Sequence, residues 1–345
     1  MSAVLTALAP DTVMLILART LDGVAGAATG TASGALLNLV FRPEERVKAM
    51  GWWSLVGAGG PVLGLSLGSP IIQAFGWRAL FWIQFGLLIA AFIVVTMVLP
   101  HVRGSLAQEE ERKLKARNDF KTLDWIGSWT LSFGVTALML GLSLGPSLGF
   151  TGWACTSAWI TTVLMLLAFI YRVRHAANPI IPAHYFRRRN FVMPMALRAT
   201  ANFAYFGGFF LFPLLLEQGY HKSISSVGAY AIARPIAFAI CSPIAGYVAI
   251  RIGERISCLA GTAFLTLSML VFAALHPGSS GLVIVGALVL SGLGMGVAMP
   301  SSSSTMANAV DPNEFGVMFA AQLLAMQVGQ VAGIEVLLTV RQTLE

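Results

Sequence analysis

Apolar stretches of about 20 residues follow one another along almost the whole chain, and few architectures accommodate them. Each is long enough to cross a hydrocarbon core of about 30 Å. Inside lipid every backbone N–H and C=O needs a partner within the chain, so such stretches must be helices. Strands of a membrane barrel would be about 10 residues long and would alternate in polarity; these stretches do neither. Only 11% of the residues are charged, against about 25% in an ordinary soluble domain. The chain therefore reads as an all-α polytopic membrane protein. Ten spans are expected, at 12–41, 50–72, 78–100, 125–146, 153–172, 191–216, 226–250, 256–275, 281–306 and 316–340.

The net charge of +7 would raise the question of nucleic acid in a soluble protein. Here the basic residues sit mostly in the connections between spans, which membrane topology explains without a nucleic-acid partner. The loops on one side hold 16 Lys and Arg, among them Arg42, Arg46, Lys48, Arg103, Lys113, Arg174, Arg187, Arg188 and Arg251. The loops on the other side hold 3: Arg78, Lys222 and Arg341. Arginine and lysine are retained on the cytoplasmic face, so the rich side is cytoplasmic and both ends of the chain face outward across the plasma membrane. Cys155, Cys241 and Cys258 are odd in number and lie in or beside apolar spans. That pattern fits neither a disulfide framework nor a metal site, and no cofactor is expected. Met1 to Pro10 lacks the basic start and cleavage site of a signal peptide.

The chain also carries a weak copy of itself at an offset of 269 residues. Gly23, Ser33, Pro43 and Glu45 match Gly292, Ser302, Pro312 and Glu314, and Leu55, Gly60, Val62 and Gly64 match Leu324, Gly329, Val331 and Gly333. The two copies have the same orientation, as in transporters whose halves rock about a central site. The charges are not repeated: Arg19 pairs with Leu288, Asp22 with Ser291 and Pro61 with Gln330.

Several residues stand out against the apolar background. Arg19 and Asp22 share a helix face at a spacing of three, near mid-membrane, where ionisable groups are costly and usually functional. They read either as a proton relay or as a self-neutralising pair. Glu335, deep in the last span, is either a proton carrier or a neutral or paired carboxyl. Arg198 and Arg234 meet an anionic substrate group, pair with an acid or snorkel to an interface. Gly57, Gly60, Gly64 and Gly68 form a bare stripe that lets another helix approach, and Pro61 beside it can bend the helix. Hinge and plain packing surface are both open. Phe203, Phe206 and Phe210, with Asn202 and Tyr205 nearby, line a substrate cavity or face lipid. Ser301 to Ser304 form a polar notch that is either cavity lining or an interhelical hydrogen-bonding patch. No histidine has metal-ligand spacing and no catalytic triad is evident.

These residues carry a family resemblance. Arg19, Thr20, Leu21, Asp22 and Gly23, followed by Gly26, Ala27 and Ala28, resemble the fourth-helix motif of the major facilitator superfamily. Gly57 to Gly68 with Pro61 resembles its fifth-helix antiporter motif, and Phe75, Gly76, Trp77, Arg78 and Phe81 fit beside it. Asp124 to Gly127, and Asn178 to Pro182 followed by Phe186 to Phe191, resemble the fourteen-span drug:proton antiporter branch, in which two extra helices join the halves.

The ten spans then resemble helices four to thirteen, which implies a fragment lacking the first three and the last. The organisation implied is a two-half bundle: 1–100 as the N-terminal half with three helices, 101–190 as charged linkers with two extra helices, and 191–345 as the C-terminal half with five. Gly246 to Arg255 resembles a second-half loop motif, with Ile250 in place of its usual aspartate. Asp22 stands where the family commonly has glutamine, and Glu335 where it has a small residue. The implied function, not that of an enzyme, is proton-coupled efflux of amphipathic drugs or other small molecules by alternating access. Its partners are substrate, protons and membrane lipid, with a periplasmic adaptor if the source has two membranes. Competing readings are an exporter of one metabolite, siderophore or lipid, and a truncated product that transports nothing.

Overall fold

The computed structural model describes residues 1–98, 124–176, 179–221 and 224–344. Arg103, Arg112, Lys113, Lys115, Arg117 and Lys121 of the expected basic loop, together with Asn178 and Lys222, lie outside the described residues. The chain forms α1 (Ser2–Leu8), α2 (Thr12–Val40), α3 (Arg46–Phe75), α4 (Trp77–Val98), α5 (Trp125–Leu148) and α6 (Trp153–His175). It continues with α7 (Arg189–Leu214), α8 (Ile224–Ile252), α9 (Glu254–Ala273), α10 (Gly281–Ala307) and α11 (Phe315–Leu344). No strand occurs among the described residues. The helices from α2 onward coincide with the ten expected spans, and nine of them are long and apolar enough among the described residues to cross a membrane. The protein is thus a multi-pass helical membrane protein.

The helices overrun the spans because a helix need not stop where hydrocarbon stops. Arg46 and Lys48 open α3, Arg172 and Arg174 close α6, and Arg251 closes α8. In α6 the closing cations also complement the negative end of the helix dipole. Between α8 and α9 a single residue, Gly253, turns the chain at φ 87°, a backbone region where a Cβ would be strained.

Two compact units result. The first comprises residues 1–30 and 63–124. Here the sequence reading missed an element, the short helix α1. Its Ala3, Thr6 and Ala7 are buried, it packs on α4, and Arg78 Nη2 donates to the Ala9 carbonyl at its end (3.1 Å).

The second unit comprises residues 31–62 and 125–345. Its main pairings are α7 with α11, α8 with α10, α9 with α10 and α5 with α6. The α7–α11 pairing depends on missing side chains. A Cβ at Gly329 would collide with the backbone of Ala199, and one at Gly333 with that of Phe203. Lipid offers no hydrophobic drive between helices, so close backbone approach through small residues supplies the packing instead. A core of Met50, Tyr185, Phe191, Met306, Phe315 and Phe319 fills one end of this unit.

Candidate functional site

In the first unit the spacing of Arg19 and Asp22 produces the contact it implies. Arg19 Nη1 lies 3.1 Å from Asp22 Oδ2, and Ser2 of α1 donates its hydroxyl to Asp22 Oδ1 at 2.8 Å. The Arg19 guanidinium also sits 5.2 Å from the centroid of the Phe81 ring. Asp22 is thus held by an arginine one turn away and by a serine from another helix. Its side chain is 28% exposed and that of Arg19 51% exposed, so neither is enclosed by the protein.

In the second unit Arg198 and Arg234 are both buried, at 3% and 0% exposure. The sequence left open whether they pair with an acid; among the described residues neither has a carboxylate within ion-pair distance. Instead Arg234 donates from Nε (2.8 Å) and Nη2 to the hydroxyl of Ser291 on α10. Its guanidinium lies 4.1 Å from the centroid of Tyr205 on α7. Arg198 donates from Nη2 to Ser303 Oγ at 2.5 Å, Ser303 donates to Gln322 Oε1 at 3.0 Å, and Asn202 donates back to the Arg198 carbonyl. This chain of bonds ties α7, α10 and α11 together. Arg234 Nη1, Arg198 Nε, Asn202 Oδ1 and the hydroxyls of Ser301 and Ser304 are buried without a hydrogen-bond partner among the described residues. Unsatisfied buried groups of this kind need water or a polar ligand.

The two units use one position alike. Ser291 is the repeat mate of Asp22, and each is the acceptor for a guanidinium. In the first copy the arginine comes from one turn earlier on the same helix; in the second, Leu288 replaces it and α8 supplies Arg234.

The remaining candidates are dispersed. Glu335 is half-buried, and among the described residues no ion pair joins it to an arginine. Phe206 packs edge-on against Tyr205 (5.3 Å), Phe203 is half-buried, and Phe210 is 47% exposed. At Gly57, Gly60, Gly64 and Gly68 an added Cβ would meet nothing within 4 Å, unlike their repeat mates Gly329 and Gly333. The helix backbone runs on through Pro61.

Sequence reasoning missed Gln322, whose only signal was an amide in an apolar span. It also missed a polar cluster outside the membrane. There the Tyr185 hydroxyl donates to Glu314 and accepts from the Asp311 N–H (3.3 Å). Arg188 lies over the Tyr185 ring (5.3 Å) and donates to the Ala309 carbonyl (2.8 Å), and Arg46 donates to Asn308 Oδ1 (2.8 Å). Burial first, and the Glu314 carboxylate next, push the Tyr185 phenol above its usual value.

Long apolar helices packed in pairs, with an arginine–aspartate pair on one and buried arginines on others, define a multi-pass membrane protein. The chain belongs to the Major Facilitator Superfamily, whose family profile matches residues 1–334. It is 27% identical over 333 residues to the multidrug resistance protein Stp of Mycobacterium tuberculosis, which covers 96% of this chain and 59% of that protein. It is 23% identical over 337 residues to the multidrug transporter protein MdtP of Bacillus subtilis, covering 97% and 60%. With the tetracenomycin C resistance and export protein of Streptomyces glaucescens it shares 25% identity over 324 residues, covering 94% and 58%. The chain therefore spans about three-fifths of the length of these curated relatives.

Proposed function

We propose that the chain serves proton-coupled efflux of amphipathic drugs or other small molecules across the plasma membrane by alternating access. The supporting observation is its similarity, over 94–97% of its length, to relatives named for multidrug resistance, multidrug transport and tetracenomycin C resistance and export. In this reading Asp22 is the proton carrier. Protonation removes the negative charge that Arg19 faces and turns an acceptor into a donor, so both Ser2 and Arg19 must rearrange. A proton then biases the two transport states to the extent that it binds them with different affinity. Glu335 is a second carrier, and the open glycine stripe from Gly57 to Gly68, with Pro61, is the surface that moves.

Cargo is where a second reading has an observation of its own. Arg198 and Arg234 are buried cations without carboxylate partners among the described residues, which favours an anionic metabolite, siderophore or lipid over a cationic drug. The experiment is efflux of a cationic and an anionic dye from cells expressing the gene, with and without Asp22→Asn. Loss of pH-gradient-driven efflux in the variant is the expected result. Unchanged coupling removes Asp22 from the mechanism, and preference for the anionic dye selects the second cargo.

A further inference from the structure

A cavity of about 910 Å³ lies where the end of α6 meets the short turn Ala183–Arg187. It has two chemically distinct walls. Phe169, Ile170 and Phe186 supply apolar surface, and Arg174, His184 and Arg187 supply the polar rim. None of its lining residues is acidic. Among the described residues neither Arg174 nor Arg187 has a carboxylate within ion-pair distance.

The outer surface of α6 leads into this cavity. Ile160, Val163, Leu164, Leu167, Ile170 and Tyr171 are all large, apolar or aromatic, and exposed. Their spacing of three and four places them on one face of the helix, the face a lipid chain would lie along. Near its end the stripe reaches the cavity wall at Ile170, and Arg174 follows one turn later. The negative end of the helix dipole, about half an elementary charge, works against an anion here. Two full guanidinium charges outweigh it.

We propose that this cavity binds an anionic phospholipid, with its phosphate between Arg174 and Arg187 and its upper acyl chain on Ile170, Phe169 and Phe186. The continuity of the apolar stripe with the cavity selects a lipid over a free phosphate, because a soluble anion would gain nothing from those walls. Basic pockets at the membrane surface bind such headgroups. The site is separate from the proposed transport residues and does not depend on them.

The test uses the whole chain in nanodiscs made from equal parts of phosphatidylcholine and phosphatidylglycerol, with native mass spectrometry counting the lipids retained after release. Phosphatidylglycerol is expected to be enriched. Each arginine accounts for about a fivefold share of that enrichment, so Arg174→Gln with Arg187→Gln lowers it about 25-fold, whereas the double lysine variant keeps most of it. Ala183→Phe, which narrows the cavity beside Arg187 and leaves the charges, is expected to lower enrichment, and it decides the matter if the double glutamine variant fails to fold. Equal retention of the two lipids, full enrichment in Ala183→Phe, or displacement of the lipid by millimolar glycerol phosphate would each overturn the proposal.

Discussion

The Arg234 guanidinium lies over the Tyr205 ring, 4.1 Å from its centroid, while the Ser291 hydroxyl accepts two of its N–H groups. The ring and the serine replace a carboxylate as partners for a fully buried cation. A cation over a desolvated aromatic face gains about 2 kcal/mol or more, and the hydroxyl answers part of the desolvation cost.

This arrangement separates two substitutions. Ser291→Ala strands the guanidinium and is expected to cost about 1–3 kcal/mol, read as a lower melting temperature in detergent micelles. Arg234→Met removes the charge together with its demand for partners, and replacing buried charge by an apolar side chain is often neutral. A methionine variant less stable than the alanine variant contradicts this account.

Close packing makes the repeated glycines unequal. Gly333→Ala must push Phe203 away, and overpacking of this kind costs about 1–3 kcal/mol. Gly64→Ala meets nothing within 4 Å and is expected to leave the melting temperature unchanged. If the stripe is a moving surface, the same Gly64→Ala slows dye efflux. Equal melting temperatures for the two variants would refute the packing argument.

The Tyr185–Glu314 hydrogen bond has a pH signature. Because the folded state raises the phenol's pKa, the bond's contribution is fully present below the unfolded value of about 10. It is lost as pH rises through the raised folded value. The melting temperature should fall over that alkaline range in the parent, and Tyr185→Phe should lack that component while being less stable at neutral pH by about 1.5–3 kcal/mol. Parallel curves for the two proteins over the alkaline range would dismiss the bond as a contributor.

Orientation is open to chemical labelling. With the basic side cytoplasmic, a cysteine placed at Arg188 stays unreactive to a membrane-impermeant maleimide added outside intact cells, and one placed at Arg78 reacts. The reverse pattern inverts the topology.

Helix number and placement were legible in the sequence because the bilayer imposes one length and forbids unpaired backbone within it. The Arg19–Asp22 contact was legible for a similar reason, since a spacing of three on a helix fixes the neighbourhood without any tertiary information. Partners from other helices were not. Nothing local to Ser2 announces a bond to Asp22, and nothing near Arg234 names Ser291, 57 residues away. Likewise Gly64 and Gly333 are indistinguishable as letters in a repeat, yet only one is pressed against another backbone. What the sequence alone determined is a membrane-spanning helical chain, because hydrocarbon acts on each segment separately. Which buried polar group meets which was decided only by tertiary structure, because that depends on how helices remote in the chain pack side by side.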